Sequence, residues 1–212
     1  LSAWGRLDAL VLNAGVNGPA ARFASQTGDA FRDVLETNFF ANLAILQAAL
    51  PCITASGAGR IVLVASSAGL YGVRGRAPYA ASKGALVGSG LTLAHELQRD
   101  GVGVNVLAPY ATTQMTADTM AAQENLSQRM TPERVAPLAT WLASAECTAN
   151  GEIWVAGGGY VRRARMMEGD GARFDALADV SAALDASRSM QSAVGFAGAE
   201  ASFADFAAKA LR

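Results

Sequence analysis

Ile61-Val62-Leu63-Val64-Ala65 carries no polar side chain, so a strand made from it must be covered on both faces. Such strands belong to parallel sheets flanked by helices. The run leads directly into Ser66-Ser67-Ala68-Gly69-Leu70-Tyr71-Gly72, a loop of small residues, and then into Tyr79-Ala80-Ala81-Ser82-Lys83. From Tyr79 onward Leu86, Leu91, Leu93, Ala94 and Leu97 recur at roughly helical spacing. A strand end, a loop and a helix start in succession imply an α/β fold, and in such folds that junction is a common place for an active site.

Tyr79 and Lys83 are four apart and share one face of this helix near its N-terminus. The chemistry that fits is proton transfer to or from an alcohol or carbonyl oxygen. A free tyrosine, with a pKa of about 10, is a poor base near neutrality. An ammonium one helical turn away favours the phenolate, and a serine hydroxyl can hold the same substrate oxygen. The alternative is structural: Tyr79 a half-buried aromatic and Lys83 a solvated helix charge. Ser66, placed 13 positions before Tyr79 at a strand end, tips the balance toward function.

Three further segments extend the α/β pattern. Asp8-Ala-Leu-Val-Leu-Asn13-Ala14-Gly15 reads as a central parallel strand with a loop at its C-terminal end, and Gly101 to Pro109 as another buried strand. Gly151 to Gly159 reads as the last strand, ending in glycines. Those glycines are not a phosphate loop, because G-x-x-x-x-G-K-[ST] is absent. Between the strands, Asp29 to Ser56 reads as one long helix that Pro51 bends or ends. Met115 to Met130 reads as a helical flap, followed by a helix with Thr131 as N-cap and Pro132 in its first turn. Beyond residue 160, Arg162, Arg163 and Arg165 form a solvated rim or meet an anionic substrate tail. They are followed by two Ala-rich helical segments, Phe174 to Met190 and Phe203 to Leu211.

The serine and the Tyr79-x-x-x-Lys83 motif resemble the short-chain dehydrogenase/reductase family. The resemblance implies a Rossmann-like doubly wound parallel sheet. It implies catalytic roles for Ser66, Tyr79, Lys83 and Asn38, the last lying in Thr37-Asn38-Phe39, where the alternative is a satisfied core asparagine. Asn13, Ala14 and Gly15 would line the cofactor's adenosine ribose, although Leu12 stands where the family has a first Asn. Pro109 and Thr113 would also meet the cofactor, with Tyr110 in place of the usual Gly. Tyr79 and Lys83 would touch it as well.

The stretches Pro109–Thr116, Pro132–Leu142 and Asn150–Gly159 are similar to the (3R)-hydroxyacyl-CoA dehydrogenase domain of multifunctional β-oxidation enzymes. The implied activity is hydride transfer between a nicotinamide cofactor, NAD with NADP open, and a secondary alcohol or ketone such as a 3-hydroxyacyl-CoA. Two alternatives stay open: a cofactor-dead scaffold or oligomerisation module, and a dehydrogenase for another alcohol or ketone. The family's T-G-x-x-x-G-x-G segment is not in this sequence. Residues 1–160 are therefore expected to be an incomplete Rossmann-type domain, with 161–212 a helical extension of the same domain.

The remaining expectations are exclusions and partners. Net charge is −1, which gives no electrostatic case for nucleic acid or anionic membrane. No apolar run reaches 18 residues, so no membrane span is expected. His95 is a structural or surface residue, and no metal site is expected. Cys52 and Cys147, far apart and outside any C-x-x-C, read as reduced thiols. With no basic-then-apolar leader visible, a cytoplasmic location is expected. The helices at 29–56 and 79–99 carry apolar residues on more than one face, which predicts a homodimer or homotetramer.

Overall fold

The computed structural model describes residues 4–113 and 128–210. The expected flap at 115–130 falls mostly outside the described residues. The chain divides into two compact units, Leu1–Ala164 and Arg165–Arg212.

The first unit is built on a five-stranded sheet in the order β1-β2-β3-β4-β5. Its strands are β1 (Ala9–Leu12), β2 (Arg60–Val64), β3 (Gly103–Pro109), β4 (Ile153–Gly157) and β5 (Tyr160–Ala164). The first four are parallel, in register at Leu12↔Leu63, Val64↔Leu107 and Pro109↔Ala156. β5 runs antiparallel to β4. β5 corrects the sequence reading, which ended the sheet at Gly159. Gly158 and Gly159 both have positive φ, 61° and 83°. Two such residues in succession form the tight turn that suits the twist of a hairpin, and they fold the chain straight back onto β4. Among the described strands β1 pairs with β2 alone, and Val11 is 44% exposed.

Alternate residues of β2 enter two separate cores, which is the consequence of period-two side-chain alternation in a strand covered on both faces. Ile61 and Leu63 join Leu46, Ile53, Leu86, Val104 and Val106 on one side. Val62 joins Leu107, Val135, Leu142 and Cys147 on the other. The first side is covered by α2 (Ala41–Ala55) and α4 (Ala77–Glu96), the second by α5 (Ala136–Leu142). α3 (Ser67–Tyr71) is a short turn of helix after β2. α4 lies close on the sheet at Gly90, where a Cβ would sit 2.6 Å from Val106 Cγ2. This is an α/β doubly wound arrangement of Rossmann type, as expected.

The long helix runs without a break through three segments: α1 (Gly28–Leu35), a π-helical turn (Glu36–Phe40) and α2. Thr27 caps it, its side chain accepting the Ala30 N–H at 3.1 Å. Pro51 lies inside α2 and does not end it. The deviation from α-helix falls instead at Asn38. By length and composition Gly28–Ala55 is apolar enough to cross a membrane, although its sequence holds no uninterrupted apolar run of 18. Within the fold Leu46 and Ile53 are core residues and Asn38 and Asn42 are buried, while Phe40 and Ile45 remain about half exposed. Thr131 precedes Pro132 as expected, but without a side-chain cap bond; a short 3-10 turn (Pro132–Arg134) leads into α5.

In the second unit the helices are α6 (Val180–Ala186), entered through a 3-10 turn at Leu177–Asp179, and α7 (Ala199–Ala210). The first is shorter than its Ala-rich sequence suggested. The Ser187 hydroxyl donates to the Ala183 carbonyl at 2.8 Å, satisfying the helix end. Glu168 and Val194 form an antiparallel bridge, and the Ser202 hydroxyl donates to Glu168 Oε1 at 2.6 Å.

Candidate active site

Because β1 to β4 are parallel and in register, the loops after Leu12, Val64, Pro109 and Gly157 emerge along one edge of the sheet. In open α/β sheets this carboxyl edge is where ligands bind. Asn13, Ala14, Gly15, Ser66, Pro109 and Thr113 lie at or just after those strand ends.

Ser66 follows β2 and is the N-cap of α3, its Oγ accepting the Ala68 N–H at 3.2 Å. The bond uses a lone pair and leaves the serine O–H able to donate to a substrate oxygen. α3 presses against α4 through Gly69. A Cβ there would lie 2.5 Å from the Lys83 carbonyl carbon and 2.7 Å from Gly84 N, both backbone atoms that cannot swing aside. This close approach sets α3, the helix that Ser66 caps, against α4 at Lys83. Gly69→Ala is expected to force the two helices apart, at a cost of about 1–3 kcal/mol, and to lower activity more than stability alone accounts for. Thermal melts alongside rate measurements check this.

Lys83 does not project into solvent. It is 4% exposed, and its Nζ donates to the Val64 carbonyl at 2.7 Å. Burial pushes its pKa down to about 8. The same Nζ lies 5.9 Å from the centre of the Tyr79 ring. Tyr79 itself is half-buried, in the first turn of α4.

Asn38 is fully buried and reaches in three directions. Its Oδ1 accepts the Val16 N–H at 2.7 Å, while its Nδ2 donates to the Val16 carbonyl at 2.9 Å and to Ser82 Oγ at 2.9 Å. The Ser82 hydroxyl in turn donates a hydrogen bond to the Tyr79 carbonyl at 2.8 Å. One side chain thus joins the loop after β1 to the helix carrying Tyr79 and Lys83. Gly15 sits in the same cluster, and a Cβ there would come within 3.1 Å of Asn38 Oδ1 and 3.4 Å of Lys83 Nζ.

The structure brings Gly15, Asn38 and Lys83 into one cluster. Asn13 and Ala14 lie exposed beside it on the same loop. Pro109 is half-buried at the end of β3 and Thr113 is exposed four residues further on. Cys52 and Cys147 are free thiols, and His95 lies exposed near the far end of α4. Among the described residues no group of His, Cys, Asp or Glu could hold a metal.

Sequence reasoning overlooked Asn42, Ser82 and Gly69. The available signal for Asn42 was its spacing: two asparagines four apart on an otherwise apolar helix must both be satisfied in the core.

The sequence profile described as short chain dehydrogenase matches residues 1–125. A Mycobacterium tuberculosis protein described as a short-chain type dehydrogenase/reductase is 36% identical over 82% of this chain and 60% of its own length. The peroxisomal hydratase-dehydrogenase-epimerase of Saccharomyces cerevisiae is 33% identical over 81% of this chain and 19% of its own. The chain thus spans about three-fifths of the first relative and a fifth of the second. Among solved structures, full-length peroxisomal multifunctional enzyme type 2 from Drosophila melanogaster superposes with a TM-score of 0.83. That likeness covers 95% of this chain and 37% of that one at 24% identity, and it supports the fold. A short chain dehydrogenase from Mycobacterium avium superposes with a TM-score of 0.71 at 31% identity, over 89% of this chain and 68% of that one. A match over the segment that holds β1 to β3 and the whole Ser66–Tyr79–Lys83 unit is decisive: the chain belongs to the short chain dehydrogenase family.

Proposed function

We propose that this chain carries the catalytic half of a nicotinamide-dependent oxidoreductase acting on a secondary alcohol or ketone, with a 3-hydroxyacyl-CoA as substrate. The observation that carries the reading is the clustering of Gly15, Asn38 and Lys83 beside Tyr79, with α3, which Ser66 caps, packed against the same helix through Gly69. Glycine at position 15 leaves bare backbone where a Cβ would meet Asn38 and Lys83. That cradle suits the close approach of a flat or sugar-bearing ligand. Asn13, Ala14, Gly15, Pro109 and Thr113 would hold the dinucleotide, and Lys83 and Tyr79 would meet its nicotinamide side. Bound nicotinamide supplies the hydride acceptor or donor.

The chain's own groups handle the oxygen. Ser66 donates its O–H to the alcohol oxygen and fixes its direction. Tyr79 takes the hydroxyl proton during oxidation and returns it during reduction. Lys83 supplies positive charge beside the tyrosine, and Asn38 keeps loop and helix in register.

The substrate class rests on the kinship with the hydratase-dehydrogenase-epimerase and on the Pro109–Thr116, Pro132–Leu142 and Asn150–Gly159 stretches. Solved relatives are described with NADPH and with NADP bound, so either dinucleotide is a candidate here. The test is dinucleotide absorbance on adding short (3R)- and (3S)-3-hydroxyacyl-CoA to the purified full-length protein with NAD and with NADP. Reduction with one stereoisomer is expected. Turnover of simple alcohols but of neither acyl-CoA would transfer the reading to another alcohol or ketone, and absence of dinucleotide binding would favour the scaffold alternative.

Two subsidiary proposals go with it. Phe40 and Ile45 leave an apolar strip on the long helix. Covering it with a second copy gives a homodimer or a dimer of dimers, and a monomeric sedimentation coefficient at micromolar concentration would count against this. Free Cys52 and Cys147 suit a reducing compartment, consistent with a cytoplasmic location, which cell fractionation checks.

A further inference from the structure

Asn42 is 2% exposed, and its amide makes bonds that no regular helix needs. Nδ2 donates to the Asn38 carbonyl at 2.8 Å and to the Ala14 carbonyl at 3.0 Å, with the Thr37 carbonyl at 3.4 Å. The first bond has a local cause. Through the π-helical turn the bonding shifts by one residue, as the Ala41 N–H donating to the Glu36 carbonyl illustrates. A carbonyl near such a shift loses its ordinary partner, and a buried carbonyl must find another. The second bond has no such cause. Ala14 is 28 residues upstream, in the loop after β1.

The consequence for that loop is a double tie. Asn42 holds the carbonyl of Ala14, and Asn38 holds both the N–H and the carbonyl of Val16. Between them lies Gly15, facing Asn38 Oδ1 and Lys83 Nζ. A peptide segment held at the residues on either side has little freedom to lift or rotate in the middle.

We propose that Asn42 is a positioning residue for dinucleotide binding: by tying the Ala14 carbonyl to the π-helical turn it sets Gly15 against Lys83. The proposal deepens the dehydrogenase reading and rests on it for the ligand. Asn42 touches no reacting atom. Its removal therefore acts on binding of the dinucleotide and leaves the chemical step, at saturation, close to unchanged.

Asn42→Ser separates this role from a merely structural one. A serine hydroxyl inside a helix readily donates to the carbonyl four residues back, here Asn38, but is too short to span to Ala14 as well. The helix is repaired and the loop tie is not. Amide hydrogen exchange is the readout that does not depend on activity. Exchange over residues 14–17 is expected to rise at least about fivefold while residues 43–55 keep wild-type protection. The Kd for NAD or NADP is expected to rise about tenfold, with kcat at saturating dinucleotide within about threefold and the alcohol KM unmoved. Asn42→Ala, which loses both bonds, should show the same loop exchange with added fraying of the helix.

Wild-type exchange over 14–17 in Asn42→Ser overturns the proposal. So does an unchanged dinucleotide Kd, or a fall in kcat of more than tenfold at saturation. If the wild-type protein binds neither NAD nor NADP, the dehydrogenase reading fails, and the exchange arm alone decides whether Asn42 positions the loop.

Discussion

Tyr79→Phe is expected to lower kcat by about 10²- to 10⁴-fold, the usual worth of a positioned proton-transfer group. The substitution removes one oxygen and keeps the ring, so packing in the first turn of α4 is retained. The ring's approach to Lys83 Nζ, 5.9 Å from its centre, is retained as well. Dinucleotide affinity should change little, and the loss should appear in both directions of the reaction, because the same oxygen takes a proton in oxidation and gives it in reduction. Steady-state rates with a 3-hydroxyacyl-CoA, alongside direct dinucleotide titration, separate chemistry from binding. A rate near wild type would sink the mechanism, since no other group near the first turn of α4 has been assigned the proton.

Lys83→Met has two expected consequences, one on rate and one on stability. The rate falls on the order of 10²-fold or more, because the charge beside the tyrosine is gone, and dinucleotide affinity falls with it. The stability effect follows from burial. The folded protein holds Lys83 at a pKa of about 8 against an ordinary 10.5. Below pH 8 the lysine is charged in both states, and the fold bears the whole cost of burying that charge. Between pH 8 and 10.5 the folded state sheds the proton while the unfolded chain keeps it, so stability rises with pH across that window, by about 3 kcal/mol at most. Lys83→Met lacks this rise. The mutant also leaves the Val64 carbonyl without its 2.7 Å partner, which offsets any gain at neutral pH, so the slope is cleaner evidence than the absolute value. Denaturant titrations at pH 7, 8, 9 and 10 provide it. A wild-type curve as flat as the mutant's would mean that Lys83 is not held neutral by burial. Bound dinucleotide, by engaging the ammonium, should raise this pKa and move the rise to higher pH.

Much of the fold was legible along the chain because its determinants are local. The apolar run at 61–65 has no polar side chain to turn outward, so it had to be a strand buried on both faces. Ser66 could be placed at a strand end, and Tyr79 and Lys83 on one helical face, because strand length and helical period are themselves local rules. The hairpin that makes β5 was missed even though Gly158-Gly159 is a strong turn signal. The three arginines that follow it look solvated, and a strand exposed at a sheet edge leaves only a weak alternation to read.

The burial of Lys83, the close approach of α3 to α4 at Gly69 and the bonds from Asn38 and Asn42 to the loop after β1 were not legible. Each joins residues between 14 and 28 positions apart, across packed elements. The sequence by itself determined the parallel α/β architecture and the spacing of Ser66, Tyr79 and Lys83, since hydrophobic period and residue type act within a few residues. Only the tertiary structure decided that the lysine is held in the interior, its pKa lowered by burial, and that two asparagines of one helix hold the loop after β1. Desolvation and hydrogen-bond satisfaction depend on what surrounds a group in space, and no short stretch of chain contains that information.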